Sequence, residues 1–436
     1  MLARPKASIK LNTRLLPFLV GLLVLLQLAV PYRGWMLFIV ILGGLWIICF
    51  FWTRALSRGI DLRREIRFGW TQVGDRLEER FVLTNTAPFP ALWLEVRDHS
   101  SMPEYDASRG TGIDANGSSE WRTSGQCRHR GVYTMGPTTI STGDPFGVYC
   151  AHVEFESTRD LLVLPAIIPL PKLTVATGGR TGEGRPRPTA MERTVSAAGV
   201  REYTPGDHWR WVHWPTSVRR NTLYVRLFES TPASDWWVIL DMDAQVQVGT
   251  GERSTLEHSI TLAASLVDRG IRESKAVGFS AFDEQLIWHS PRGGDTQRWK
   301  ILRSMATMST GQMRLSEFLS TMRHEFGKQT SLVIITTSLD PAWIDQLVLL
   351  MRSGVAPTIL IFDAEAYAAE SATDGTVALR SLLTSLGVMS YRMTPDMFDL
   401  PEAMPGHAGE WNLRELPTGM VVSVGKAPDE SWRALA

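Results

Sequence analysis

The sequence predicts a multi-domain chain: a two-helix transmembrane hairpin, an antiparallel β-sandwich domain, then a doubly wound α/β domain. Three observations predict it. Two long apolar runs lie within residues 1–59. Short β-favouring runs divided by turn residues come next, and beyond residue 235 buried strands alternate with amphipathic helices. A chain of 436 residues is long enough for two or three domains, and 44% hydrophobic content can fill their cores.

Residues 1–59 read as an N-terminal tail and the hairpin. Leu15–Val30 and Trp35–Trp52 are almost uninterrupted apolar runs. Each is near the roughly 20 residues that span a bilayer. Pro31–Gly34 leaves room only for a tight turn. Arg4, Lys6, Lys10 and Arg14 precede the hairpin, Arg54, Arg58, Arg63 and Arg64 follow it, and the turn holds only Arg33. The positive-inside rule therefore puts both termini in the cytoplasm of a two-span plasma-membrane protein. The doubled apolar material and the lack of a small-residue cleavage site argue against a signal peptide. Neither run carries a charge that could serve a proton relay.

Residues 60–171 carry runs such as RFVLTN, ALWLEVRD, GVYTMGP, GVYCAHVEF and DLLVLP. Strands this short at this spacing argue for an antiparallel sandwich. Asp144-Pro145-Phe146-Gly147 reads as a compact turn in which Asp144 accepts nearby backbone amides. Cys49, Cys127 and Cys150 are scattered without metal-ligand spacing and read as buried thiols of a reducing compartment.

Residues 172–200 read as a Gly/Pro/Arg-rich linker or loop. Thr177–Pro188 resembles a phosphate loop only superficially, lacking the lysine-serine ending.

Residues 201–436 open with the densest cluster of arginine, histidine and tryptophan in the chain, Arg201–Glu229. Three readings stay open. It docks a partner, since Trp and Arg are enriched at interface hot spots. It packs internally, with Asp207 and Glu202 pairing arginines and tryptophans filling a domain junction, as buried aromatics commonly do. Or it stacks single-stranded nucleic acid; that reading is the least favoured, because 45 Lys and Arg balance 45 Asp and Glu. The candidate partner-binding residues are Arg201, Tyr203, Asp207, Arg210, Trp214, Arg219 and Arg220. His208 and His213 lie near Asp207 and Ser217, but no nucleophile elbow accompanies them.

The α/β domain follows. Trp236–Leu240, Ala276–Phe282, Leu332–Thr337, Thr358–Phe362 and Val388–Met393 read as strands. Thr255–Arg269, Thr296–Met308, Arg314–His324, Pro341–Met351 and Val377–Leu386 read as helices. Ligands of such sheets bind at the carboxyl ends of strands. Asp241, Asp243, Ser338 and Asp340 stand there, with Gly293–Thr296 leading into a helix. Their oxygens could converge on Mg²⁺ or another hard cation; no cofactor is otherwise expected.

The order of hairpin, β-domain with a DPFG turn, REYTPGD, R-x-x-H-W and L-x-V-R resembles the bacterial domain of unknown function 58 family. Arg201, Tyr203, Pro205, Gly206, Asp207, Arg210, Trp214, Ser217 and Arg219 carry that resemblance. It implies a von Willebrand factor A-like C-terminal domain, in which a metal is often held by D-x-S-x-S, a distant Thr and a distant Asp. Here the first element is Asp241-Met242-Asp243-Ala244-Gln245, with Asp243 and Gln245 where serines stand in the pattern. Thr296 and Asp340 are the candidates for the distant positions. The resemblance further implies a MoxR-type AAA+ ATPase as partner. The expectation is a membrane-anchored, non-enzymatic adaptor in the assembly or remodelling of other proteins. Its rivals are a metal-dependent hydrolase using Asp241, Asp243 and Asp340, and a cell-envelope structural protein whose hairpins oligomerise.

Overall fold

The computed structural model describes residues 5–170, 173–176, 197–204, 212–220, 222–228, 235–327, 330–368, 375–398, 413–415, 421–423 and 433–434. The chain divides into two compact units, one built mainly on Met1–Ala166 and the other on Ile167–Met404.

The first unit begins with a strand, β1 (Lys6–Leu11). Two helices follow, α1 (Leu15–Ala29) and α2 (Arg33–Gly59), then β2 (Ile60–Ile66), β3 (Trp70–Gln72), β4 (Arg76–Asn85) and β5 (Ala91–Asp98). The remaining strands of its main body are β6 (Arg109–Ile113), β7 (Ser118–Gln126), β8 (Gly131–Met135), β9 (Thr138–Gly143), β10 (Tyr149–Phe155) and β11 (Arg159–Leu164). They form a five-stranded sheet β1-β10-β9-β5-β6 and a three-stranded sheet β3-β11-β8. In a further sheet, β2, β4 and β7 are joined by the C-terminal strand Arg433–Ala434. The pairing is antiparallel except between β11 and β3. Alternation is plain in β4, where Leu77, Glu79, Phe81, Leu83 and Asn85 point inward and their neighbours do not.

Three features differ from the sequence reading. The N-terminal tail is a strand: Lys6 faces Glu154 and Leu11 faces Tyr149. Its composition, KASIKL, is too short and mixed to announce a strand without its partner. The C-terminal Arg433–Ala434 pairs with β2 in the first unit, outside the α/β domain to which 201–436 was assigned. The helices are unequal. Among the described residues, α2 alone is long and apolar enough to cross a membrane, and α1 is a shorter apolar helix. The 15 residues of α1 give a length of about 22 Å. The C-terminal end of α2 is tied to the β-structure: Cys49, Thr53, Leu56, Ser57 and Gly59 are buried, and Trp46 Nε1 donates to Tyr149 Oη at 2.8 Å.

The second unit carries a two-stranded ribbon, β12 (Ala197–Glu202) with β13 (Tyr224–Phe228), and between them α3 (Trp214–Arg220). Its main body runs β14 (Trp236–Leu240), α4 (Thr255–Arg272), β15 (Val277–Phe282), β16 (Leu286–Arg292), α5 (Asp295–Thr307), α6 (Leu315–Met322), β17 (Ser331–Thr336), α7 (Ala342–Arg352), β18 (Ala356–Phe362), α8 (Ala364–Ala368), α9 (Gly375–Ser385) and β19 (Met389–Met393). The sheet order is β16-β15-β14-β17-β18-β19. All neighbours are parallel except β15 and β16. The sequence reading missed β16, whose half-exposed residues lack a buried-strand signature. Trp237, Ile239, Leu332, Ile334, Ile359 and Ile361 form one core with α6, α7 and α9. Chain order reverses at the β14–β17 boundary, which opens a crevice at their carboxyl ends.

Candidate functional site

Two places answer to the sequence expectations, and both lie in the second unit. The first is the β14–β17 crevice. Asp241 follows β14 directly and is almost fully buried. Its Oδ1 accepts the Asp243 backbone N–H at 3.2 Å and its Oδ2 accepts the Thr336 hydroxyl at 2.6 Å. Thr336 Oγ1 in turn accepts the Ser338 N–H at 2.9 Å. Asp243 is also buried, and its Oδ1 accepts the Gln245 N–H at 3.0 Å. The exposed Asp340 accepts the Ala342 N–H at 3.0 Å, closing the start of α7. Burial is the main cause that pushes the Asp241 carboxyl up to about 6; the Thr336 and Asp243 hydrogen bonds oppose it, and the Asp243 charge adds to it.

Thr296 is not brought to this crevice. Because β16 runs antiparallel to β15, Arg292 pairs with Val277, the first residue of β15. The loop to α5 therefore sits at the amino ends of the parallel strands, opposite Asp241. Gln297 fastens it there, donating to the Val277 and Ser290 carbonyls, each at 3.0 Å. The segment that does reach Asp243 is the one before α6. Gly311 N–H donates to the Met242 carbonyl at 2.7 Å, and Ala244 N–H donates to the Gly311 carbonyl at 2.9 Å. A Cβ at Gly311 would stand 2.4 Å from the Phe282 carbonyl. The sequence signal for it was only a Thr-Gly pair between two helices. Asp363, after β18, is another buried strand-end carboxylate the sequence reading passed over; it is held by Arg392. Among the described residues no three His, Cys, Asp or Glu side chains are grouped to hold a metal ion.

The second place is α3. His213 precedes it, with Nδ1 and Thr216 Oγ1 2.8 Å apart. Ser217 Oγ donates to the His213 carbonyl at 3.0 Å and accepts the Tyr224 N–H at 2.8 Å, so this serine ties α3 to β13. Arg220 lies over the Tyr224 ring, and the Tyr224 hydroxyl donates to Glu202 at 3.3 Å. Outward from this base, Trp214 is 58% and Val218 78% exposed, one helical turn apart, and Arg219 and Arg220 are exposed beside them. Tyr203 is half-buried, and Arg201 pairs with Val225 through the β12–β13 ribbon. Asp207, Arg210 and His208 lie outside the described residues, as does most of the 172–200 linker.

Residues 199–380 match the family model described as protein of unknown function DUF58. The uncharacterized protein YeaD of Bacillus subtilis is 22% identical over 262 residues, covering 57% of this chain. These matches support the DUF58 family. The family match takes in α3, Asp241, Thr336 and Asp340, but neither the helices nor the β-structure of the first unit. The chain spans 62% of the length of YeaD. Among solved structures, mussel byssus proximal thread matrix protein 1 aligns at TM-score 0.24 and 14% identity, over 35% of this chain and 46% of its own. The CARDB domain of a Pyrococcus furiosus protein, solved with di-metal ions, aligns at TM-score 0.18 and 13% identity, over 24% of this chain and 90% of its own. At these scores neither likeness bears on function.

Proposed function

We propose that this chain is a membrane-anchored, non-enzymatic adaptor that presents α3 to a MoxR-type AAA+ ATPase. The observation that carries the reading is the outward face of α3. Exposing Trp214 and Val218 side by side costs apolar hydration that a monomer would avoid by burial, and a flanking pair of arginines supplies the polar rim of a hot spot. The partner chemistry that fits is an apolar pocket edged with carboxylates. The crevice supports the same class. Asp241, Asp243 and Asp340 accept hydrogen bonds from their own chain, which is the work of loop closure. An antiparallel edge strand on a sheet that reverses at β14–β17 is consistent with the von Willebrand factor A-like reading.

Anchoring rests on α1 and α2, with the chain lying in the plasma membrane as a two-span hairpin. β1 precedes α1, β2 follows α2, and β1 is paired to β10 of the same β-structure. Both ends of the hairpin then lie on one side of the bilayer. The flanking arginines make that side cytoplasmic.

The test is cross-linked capture of the intact protein from its own membranes, followed by mass spectrometry. The expected result is recovery of an AAA+ ATPase that is lost in Trp214→Ala and in Arg219→Ala while both variants keep the wild-type melting temperature. Wild-type capture by those folded variants, or capture without any ATPase, overturns the reading.

A further inference from the structure

The β9–β10 turn, Asp144–Val148, is fastened at the root of the hairpin. Asp144 is fully buried, and its carboxylate accepts the N–H groups of Phe146 (2.9 Å), Val148 (3.2 Å) and Tyr149 (2.6 Å). On one side the turn holds the lead-in to α1: the Asn12 N–H donates to the Val148 carbonyl at 2.8 Å, and the Asn12 and Thr13 side chains donate to the Gly147 carbonyl at 3.2 and 3.1 Å. On the other side Tyr149, whose N–H Asp144 holds, packs on α2: its hydroxyl accepts from Trp46 Nε1 at 2.8 Å and its ring meets Phe50 edge-on, centroids 5.5 Å apart. Phe146 projects from this fixed turn and is 65% exposed.

The level of the turn along the hairpin decides what Phe146 faces. On α2, Ile48 and Phe51 are exposed and apolar beside Phe50, and the first exposed cation beyond them is Arg54. Phe146 is therefore level with helix positions that are still apolar. The start of β5 stands at a similar height. Trp52 stacks on Phe89 and its Nε1 donates to the Pro90 carbonyl at 3.1 Å, two residues before Leu92, which is 61% exposed. Trp93, partly exposed, covers Gly143 next to the Asp144 turn.

We propose that Phe146, Leu92 and Trp93 form a lipid-seated shoulder, immersed in the headgroup–acyl boundary of the leaflet from which the hairpin rises. The proposal rests on the reading that the hairpin enters the bilayer. Length supports it: α1 is about 22 Å long against about 30 Å of hydrocarbon, so the shortfall draws the root of the hairpin into the interface. Aromatic rings are at home at that depth, and exposed Lys10, Arg14, Arg54 and Arg58 favour anionic headgroups there. The shoulder would hold the β-structure against the membrane surface, where a bare hairpin would let it swing.

The test places the photo-reactive analogue benzoylphenylalanine singly at Phe146, Leu92, Val132 and Phe38 of the full chain. The protein is reconstituted in vesicles of phosphatidylethanolamine and phosphatidylglycerol, and phospholipid adducts are measured by mass after illumination. Val132 is an exposed apolar residue of the β3-β11-β8 sheet and serves as the aqueous comparison; Phe38 lies within α2. The expected result is lipid adducts at 146 and 92 several-fold above those at 132 and comparable with those at 38. Adducts at 38 with none above background at 146 and 92 overturn the shoulder alone. Protein–protein adducts at 146 assign the patch to a second copy and equally overturn it. Absence of lipid adducts at 38 as well overturns the hairpin reading beneath it.

Discussion

Thr336 and Asp241 face each other across the boundary where the strand order of the α/β sheet reverses, hydroxyl to carboxylate at 2.6 Å. Both are buried, and the carboxylate needs every donor it has. Two hydrogen bonds do not offset the lost hydration, so its proton is held to about pH 6. A native-state pKa above the unfolded value means that the folded chain keeps a proton the unfolded chain has released. This contribution to stability is complete below the unfolded carboxyl pKa of about 3.9, declines as pH rises and is lost above about 6. Asp241→Asn is isosteric and uncharged, and should flatten that decline. We expect it to raise stability at pH 7.5 by about 1–3 kcal/mol relative to wild type, read by urea unfolding of the full chain in detergent at pH 5 and pH 7.5. Equal pH slopes for the two proteins would refute the assignment.

The first unit buries a charge cluster of its own. Arg64 on β2 donates from Nε and Nη2 to the two Glu79 oxygens at 2.9 and 2.7 Å, and from Nη1 to Asp98 at 2.6 Å. The side chains are 2%, 0% and 2% exposed, and Tyr105 donates its hydroxyl to Glu79. Removing the cation would leave two buried carboxylates facing each other. Arg64→Ala should lose about 3–5 kcal/mol. Arg64→Met combined with Glu79→Gln should recover part of that loss, which the unfolding midpoints of the two variants would measure.

Gly59 ends α2 and hands the chain to β2 without a loop. A Cβ there would lie 2.6 Å from the Ala87 nitrogen and 2.8 Å from its Cβ. Backbone cannot move aside as a side chain can, so Gly59→Ala should cost about 1–3 kcal/mol. At Gly43, where nothing lies within 4 Å, the same change should leave the melting temperature unaltered. Thermal unfolding of the two variants side by side checks the contrast.

On α3 the expected pattern is the reverse. Trp214 and Val218 are mostly exposed, so Trp214→Ala and Val218→Ala should each change stability by less than about 0.5 kcal/mol. Ser217→Ala removes the hydroxyl that joins α3 to β13, and should cost about 1–3 kcal/mol because the buried Tyr224 N–H loses its acceptor. Denaturant midpoints distinguish the two classes.

Much of the architecture was legible because its signals are local. Uninterrupted apolar runs mark α1 and α2, period-two alternation marks strands such as β4, and a continuous β-branched run marks β17. Asp144 could be read as a turn residue because an Asp-Pro-Phe-Gly sequence invites the capping its carboxylate performs. Illegible parts share one cause. β1 finds its partner 138–148 positions away along the chain, and its own composition announces nothing. β16 is half-exposed and escapes a search for buried runs.

The sequence by itself determined the kinds of element, their order and the chemistry at their ends, since side-chain periodicity and turn residues act within a few positions. Only the tertiary structure decided which of those ends meet. Asp241 and Asp340 follow adjacent parallel strands and stand at the same edge of the sheet. Thr296 stands at the other edge, because one hairpin reverses β16 and strand direction sets the end at which a loop emerges. In the same way Trp214, one of seven candidate contact residues in the sequence, is set apart only by the structure, which leaves its ring in solvent. Sequence can count indoles and guanidiniums, but burial follows from what the rest of the chain covers.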